Sequence, residues 1–279
     1  CRFLSEYTGK LYTVSFSPAD LEILRGEPSN RRSWIDKVSQ VYFLEHVEQS
    51  ARYKLVLEQR NSLLKGYAEG RFQLNSDFET WTEELFNLGA QLIHNRIHSV
   101  DKNVDKVARY YREISGTDST LNIQYLSSIS DQFTDGHFGS FSIEIIRQAL
   151  RSKWLSLKHK EEILGTTLFG PHRDDLEFGL SGHNVKSFGS QGELRSLVLA
   201  MRLAEIEAIK EIQNMNPILL IDDFSSELDA SRRTYLLNYL VESSSQVFLT
   251  TTEDLVRQKF GEVFVVNEGK VVSNGHPNN

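Results

Sequence analysis

A single cysteine, Cys1, stands among the 279 residues, so no disulfide can close within the chain, and this usage suits a reducing cytoplasm. Long apolar runs are absent too. A stretch such as Pro217 to Ile221 falls far short of the roughly 20 residues a membrane helix needs. The opening CRFLSEYTGK has no apolar core of the length a secretion signal requires. Positive charge is scarce: 31 Lys and Arg stand against 38 Asp and Glu, a net of −7, which excludes a uniformly basic nucleic-acid binder. The deficit is uneven. Residues 19–165 hold 19 basic against 21 acidic side chains, and residues 166–279 hold 10 against 16. Contact with a polyanion then needs a local patch, a partner, or chain beyond these residues. Internal repeats and low-complexity segments are missing, and a G-x-x-x-x-G-K-[ST] phosphate loop occurs nowhere. What remains, 39% apolar and 25% charged residues, is the mix of a globular protein long enough for one large domain or two modest ones.

The chain reads in three pieces. Residues 11–18 (LYTVSFSP) alternate as a strand and end on a Ser-Pro turn signal. Residues of about 19–163 are dominated by helical periodicity. Within them Phe78, Trp81, Leu85, Leu88, Leu92, Ile93, Ile97 and Val100 recur at three- and four-residue steps, with Ser76 or Asp77 as the expected N-cap. A helix of that length predicts an arm or a helical hairpin rather than an element of a compact bundle. A short strand at Leu121–Leu126, a polar loop and a helix over 141–164 follow. From Thr166 the texture changes. The stretch 166–185 alternates as a hairpin turning at Ser181-Gly182-His183. Helices at about 192–213, 230–241 and 253–259 then alternate with strands at 218–222 and 246–250, and a strand pair around Val263–Val272 ends the run. That alternation predicts an α/β layer with a mostly parallel sheet and flanking helices.

The sharpest local signal is Ile218-Leu219-Leu220-Ile221-Asp222-Asp223. Four apolar residues predict a fully buried strand, and two carboxylates sit at its C-terminal end, where open α/β sheets place ligands. One acid there can hold Mg²⁺ and the next can orient or deprotonate water, as in a Walker B strand with a second acid. A buried strand that merely ends in a polar turn has the same appearance. Ser190-Gln191-Gly192-Glu193 opens a strongly apolar helix one element upstream. A hydroxyl, unpaired N–H groups and the positive end of a helix dipole suit phosphate, although an ordinary serine cap uses the same residues. Its placement matches the signature motif of ABC-type ATPases. Ser226-Glu227-Leu228-Asp229 falls where those proteins carry the D-loop, and Asp229 is equally a sound helix cap; both roles can hold. Gln246–Thr252 is a strand ending in hydroxyls, with Thr252 where such ATPases carry a γ-phosphate-sensing histidine. Threonine can donate a hydrogen bond there but carries no charge.

Taken with Phe169-Gly170-Pro171-His172-Arg173-Asp174-Asp175-Leu176, these elements resemble the RecF family. The matching stretches run in family order: FSPADLEILRGEPSNRR at 16–32, EQRNSLLK at 58–65, GPHRDDL at 170–176, SQGELR at 190–195, LLIDDFSSELD at 219–229 and QVFLTTT at 246–252. Residues of about 70–165 match only in helical character. The resemblance implies an ABC-type ATPase head, residues 1–18 and 166–279, interrupted by a helical lobe or arm over 19–165. It implies ATP and Mg²⁺ as cofactors, and an ATP-dependent homodimer that sandwiches nucleotide between the phosphate loop of one subunit and the signature motif of the other. It also implies binding of double-stranded and gapped DNA, and work with RecR, RecO and the RecA pathway in recombinational repair and at replication forks. Family members carry their phosphate loop near the N-terminus, so a start at Cys1 leads us to expect a chain truncated there. Ser17-Pro18 stands where ABC heads carry a glutamine.

On this reading Asp222 ligates Mg²⁺ and Asp223 positions water. Ser190, Gln191, Gly192 and Glu193 meet phosphate, Glu227 and Asp229 line the dimer seam, and Thr252 faces the γ-phosphate. Arg195 braces its helix, and His172, Arg173, Asp174 and Asp175 form a structural network in preference to a catalytic one. Two basic clusters, Arg25, Arg31, Arg32 and Lys37 near Trp34, and Arg147, Arg151, Lys153, Lys158 and Lys160 near Trp154, are either DNA contacts or solvated helix faces, the latter favoured. A non-catalytic DNA- or partner-binding module and another SMC-like ATPase are the alternative readings.

Overall fold

The structure, a computed structural model, describes residues 9–133, 141–223, 229–251 and 262–274. A parallel three-stranded sheet has the order β1 (Thr13–Phe16), β5 (Ile218–Ile221), β6 (Val247–Leu249). Its register sets Phe16 beside Ile221 and Ile221 beside Leu249. All three strands therefore end level, and the residues just past them, Ser17, Asp222 and Thr250, share one edge. Helix α7 (Gln191–Gln213) packs on one face of this sheet, burying Val14, Phe16, Leu219 and Ile221. Among the described residues the other face is exposed: Leu220 is 40% exposed and Phe248 54%. The expectation of a fully buried β5 is thus corrected. The strand alternates, because α7 covers one side of it only.

Between β1 and α7 lie α1 (Glu22–Arg25), α2 (Pro28–Tyr42), α3 (His46–Ala68), α4 (Ser76–Ser115), β2 (Leu121–Leu126) and α5 (Ile143–Leu164). They are followed by β3 (Asp175–Leu180), the two-residue β4 (His183–Asn184) and the short α6 (Val185–Phe188). Strands β2, β3 and β4 form a separate antiparallel sheet, with Leu121 opposite Leu180. The turn expected at Ser181-Gly182 joins β3 to β4, both residues having positive φ. Helix α8 (Ala230–Glu242) and the hairpin of β7 (Val263–Asn267) and β8 (Lys270–Asn274) complete the described chain. The helix expected over 253–259 lies outside the described residues.

Helix α4 is the spine. Its 40 residues run unbroken, about 60 Å at the usual rise per residue. Asn75 caps it, accepting from the amides of Asp77 and Phe78, and Gly116 ends it with φ 67. The cap is therefore one residue earlier than Ser76 and two earlier than Asp77; an extended backbone at Asn75 lets its amide oxygen reach the first turn. Nor does the helix project as an arm. It packs against α2, α3, α5, β2, α7 and α8. Its apolar stripe, from Phe78 through Leu85, Leu92, Ile93 and Ile97 to Val107, sits in one continuous core with α7. Helix α7 is buried nearly all round from Leu194 to Ile209, because the sheet takes one side and α4 another.

Buried ion pairs tie the helices together. Arg60 and Glu161 are both fully buried and meet at 2.7 Å; Arg60 also donates to Thr82 and Thr167. Glu161 accepts from the Leu168 amide with its other oxygen, so the pair is saturated. The EQRN stretch at 58–61 thus owes its character to a buried crosslink joining α3, α4, α5 and the segment after it.

Candidate functional site

Asp222 and Asp223 emerge between two neighbours. The Asp222 amide donates to the Phe16 carbonyl at 2.9 Å, and the Thr250 amide donates to the Ile221 carbonyl at 2.9 Å. The Thr250 hydroxyl donates to Asp222 Oδ1 at 2.7 Å and accepts from the Asp223 amide at 3.0 Å. One threonine therefore fixes both acids. Asp223 has φ 51, in the left-handed region that a non-glycine residue seldom adopts, Asp and Asn being the most tolerant. Strain of this kind gathers where function over-determines the backbone. A small cleft beside the acids is lined by Phe16, Ser17, Asp20, Arg195, Val198 and Leu236, among others. Ser17, singled out in the sequence, thus faces the acid pair. Behind it the Ser17 amide donates to Asp20 Oδ2, and Arg202 holds Asp20 at 2.6 Å and Glu205 at 2.7 Å, so a buried triad fixes this corner.

Ser190 caps α7. Its hydroxyl accepts from the Glu193 amide and donates to Glu193 Oε2, while the Ser190 amide donates to the same carboxylate at 2.8 Å. This closed capping box holds the Glu193 carboxyl below its ordinary range, through the hydrogen bonds from the Ser190 hydroxyl and amide. The first-turn amides of Gln191 and Gly192 have no acceptor within the helix. The acids share their cleft with Arg195, just over one turn into α7, and Ser190 and Gly192 are not among its lining. Asp229 caps α8, accepting from the Arg232 amide, as one of its two expected roles requires. Glu227 and Thr252 fall outside the described residues.

The residues fit the groups that the sequence implies in part. Asp222 is exposed, and one oxygen is taken by Thr250, which leaves the other for a hard cation. Gln191 and Gly192 offer amides to a phosphate. Within these 279 residues nothing supplies a phosphate loop.

The GPHRDDL stretch sits in a network of hydrogen bonds and ion pairs. Asp174 is fully buried and accepts from Tyr125, Ser127 and the Ser128 amide; burial pushes its carboxyl up and these donors pull it back. Asp175 holds Arg31 with both oxygens, at 2.6 and 2.9 Å. Arg96 clasps Asp36 and donates to the Pro171 carbonyl. His172 Nδ1 meets the Tyr53 hydroxyl at 2.8 Å, and burial lowers its pKa to about 4. Among the described residues this network stands apart from the acid cleft.

Several members of both basic clusters are paired, while Lys37, Lys158 and Lys160 are exposed. Arg31 is buried on Asp175, Arg32 donates to the Asp174 carbonyl, and Arg25 reaches the Gly189 carbonyl. In the second cluster Arg147 and Arg151 pair with Glu83, and Lys153 with Asp131. Trp34 is buried, and Trp154 packs on Phe86.

Sequence reasoning missed Thr250, two residues before Thr252. The strand register, which sequence alone does not supply, is what sets Thr250 beside Asp222.

A parallel sheet whose middle strand delivers paired acids to an edge shared with a Ser-Pro turn, backed by a helix that opens on Ser-Gln-Gly, has the architecture of an ABC-type ATPase head. No protein-family model matches the chain. It is, however, 33% identical over 275 residues to the DNA replication and repair protein RecF of Geotalea uraniireducens, covering 96% of this chain and 71% of the relative. It is 35% identical to that of Enterococcus faecalis, covering 97% and 72%, and 36% identical to that of Lactobacillus acidophilus, covering 90% and 65%. Among solved structures, the recombination mediator protein RecF with ATP in the RecFOR pathway superposes with a TM-score of 0.83 at 29% identity, covering 96% of this chain and 70% of that one. A second RecF structure, described as RecF-ATPrS, gives 0.85 over 98% of this chain and 70% of its own. The chain belongs to the RecF family.

Proposed function

We propose that this chain is the main part of a RecF-type DNA-repair ATPase that binds ATP with Mg²⁺ and pairs as an ATP-dependent homodimer. The observation that carries this is the placement of Asp222 and Asp223, held by Thr250 at the open edge of the parallel sheet. Mg²⁺, when bound, would supply positive charge against the phosphates. Asp222 offers it the carboxylate oxygen that Thr250 does not occupy. Asp223 orients the attacking water and takes its proton. A short Asp in this role implies slow turnover. Ser190 and the amides of Gln191 and Gly192 meet the γ-phosphate held by the partner, and the Ser190 hydroxyl must leave Glu193 to do so. Glu227 and Asp229 line the seam, and Thr252 faces the γ-phosphate. Residues 1–18 and 166–279 act as the ATPase head and 19–165 as the helical lobe. The family membership supports double-stranded and gapped DNA as the substrate surface, with RecR and RecO as partners ahead of RecA, in the cytoplasm. Among the described residues no helix is long and apolar enough to cross a membrane.

The test uses the full-length protein. Asp223→Asn is expected to keep ATP binding, read by calorimetry, and ATP-dependent dimers, read by light scattering. Hydrolysis should fall by roughly 10²-fold or more. Unchanged hydrolysis removes Asp223 from the mechanism. Absence of ATP binding in the unsubstituted protein ends the ATPase reading and favours a binding module.

A further inference from the structure

The first turns of α7 and α8 are joined by a side chain that none of the motifs accounts for. Arg232 Nε donates to Ser196 Oγ at 2.8 Å, and Ser196 is fully buried one turn inside α7. The same guanidinium pairs with Asp229, the cap of its own helix. It also lies flat against Gly192: a Cβ added there would meet Arg232 Nη2 at 3.2 Å, closer than ordinary van der Waals contact. Gly192 does not occupy the left-handed region, so backbone conformation does not demand a glycine. The guanidinium supplies the reason instead, because an added Cβ would shift it by a few tenths of an ångström from its seat. Arg232 is only 17% exposed, and its planar fork reaches both partners at once, which a lysine ammonium does not reproduce.

We propose that Arg232 is a positioning residue that locks the helix start at 190–193 to the helix start at 229–232, so that the two seam-facing elements present to a second copy as one rigid unit. This inference rests on the ATP-dependent dimer proposed above.

The experiment measures ATP-dependent dimerisation of the full-length protein by sedimentation, alongside monomer ATP affinity by calorimetry and thermal midpoint. Arg232→Ala is expected to weaken the dimer by roughly tenfold, the effect of about 1.4 kcal/mol, while ATP affinity changes by less than about threefold. Arg232→Lys keeps the charge and recovers only part of the loss. Gly192→Ala weakens the dimer through the same displaced guanidinium, so the double variant with Arg232→Ala is no worse than the weaker single. Dimerisation of Arg232→Ala within about threefold of the unsubstituted protein, or additive losses in the double variant, overturns the proposal. So does full recovery by Arg232→Lys, or a loss of ATP affinity and midpoint in step with the dimer, which a merely structural role would give. If the unsubstituted protein binds ATP but forms no ATP-dependent dimer, the dimer reading fails and this inference with it. A dimer indifferent to Arg232 removes the inference alone.

Discussion

Two polar regions of this molecule are built on opposite rules. Around α4, charged groups are buried and saturated: Arg60 and Glu161 are fully enclosed, Asp174 accepts three hydrogen bonds, and Arg96 clasps both oxygens of Asp36. At the sheet edge, Asp222 is exposed and Asp223 half-buried, and the Thr250 hydroxyl bonds to both, one of them in a left-handed turn. A buried charge left without its partner is costly, so the first region holds the fold by making every partner indispensable. Acids near the surface lose little when altered, so the second can turn an oxygen of Asp222 toward a ligand. The contrast separates residues that a sequence retains for stability from those it retains for chemistry.

The largest effect that can break this contrast is at Glu161. Glu161→Ala strands Arg60 in the core and is expected to cost about 3–5 kcal/mol in urea unfolding. A loss under about 1 kcal/mol would place the pair among ordinary surface bridges. Next comes pH. His172 is depressed to about 4 by burial, against an ordinary value of about 6.5. The unfolded chain therefore takes up a proton that the folded one refuses. Its contribution is fully present above about pH 6.5 and is lost as pH falls toward 4, at no more than about 1.4 kcal/mol per pH unit. His172→Gln should flatten that part of the stability profile; a profile unchanged between pH 7 and 4.5 would show that His172 titrates normally. The smallest effect sharpens the other side. Thr250→Val removes two exposed hydrogen bonds and should cost about 1 kcal/mol of stability or less, yet weaken Mg²⁺-dependent ATP turnover in the full-length protein. A larger stability loss with intact turnover would move Thr250 into the structural class.

Much of the sheet edge was legible from sequence because its signals are local. An apolar run ending in two acids, and Ser-Gln-Gly opening an apolar helix, each announce themselves within a few residues. The three-strand order and the role of Thr250 were not legible, since register is set by partners far along the chain. Helix α4 was legible as a helix from its periodicity, and of the arm or helical hairpin expected for it, it packs on α3 and does not project. Periodicity reports that a stripe is apolar, not how many neighbours share it, and Asn95, Arg96 and Asn103 on the polar side are buried as well. The buried arginines were the hardest to read. Arg31, Arg60 and Arg96 look like surface charge until their carboxylates arrive from sequence positions between about 60 and 145 residues away.

The order β1-β5-β6 has a kinetic meaning. Thr13 pairs with Ile218 across roughly 200 intervening residues, so the acid edge cannot form until both ends of the chain have met. During synthesis the α4 spine and its ion pairs can assemble first, leaving β1 as a waiting strand. The cleft beside Asp222 and Asp223 is then a late product of folding, and a chain stalled before β5 leaves the ribosome with its scaffold built and its chemistry absent.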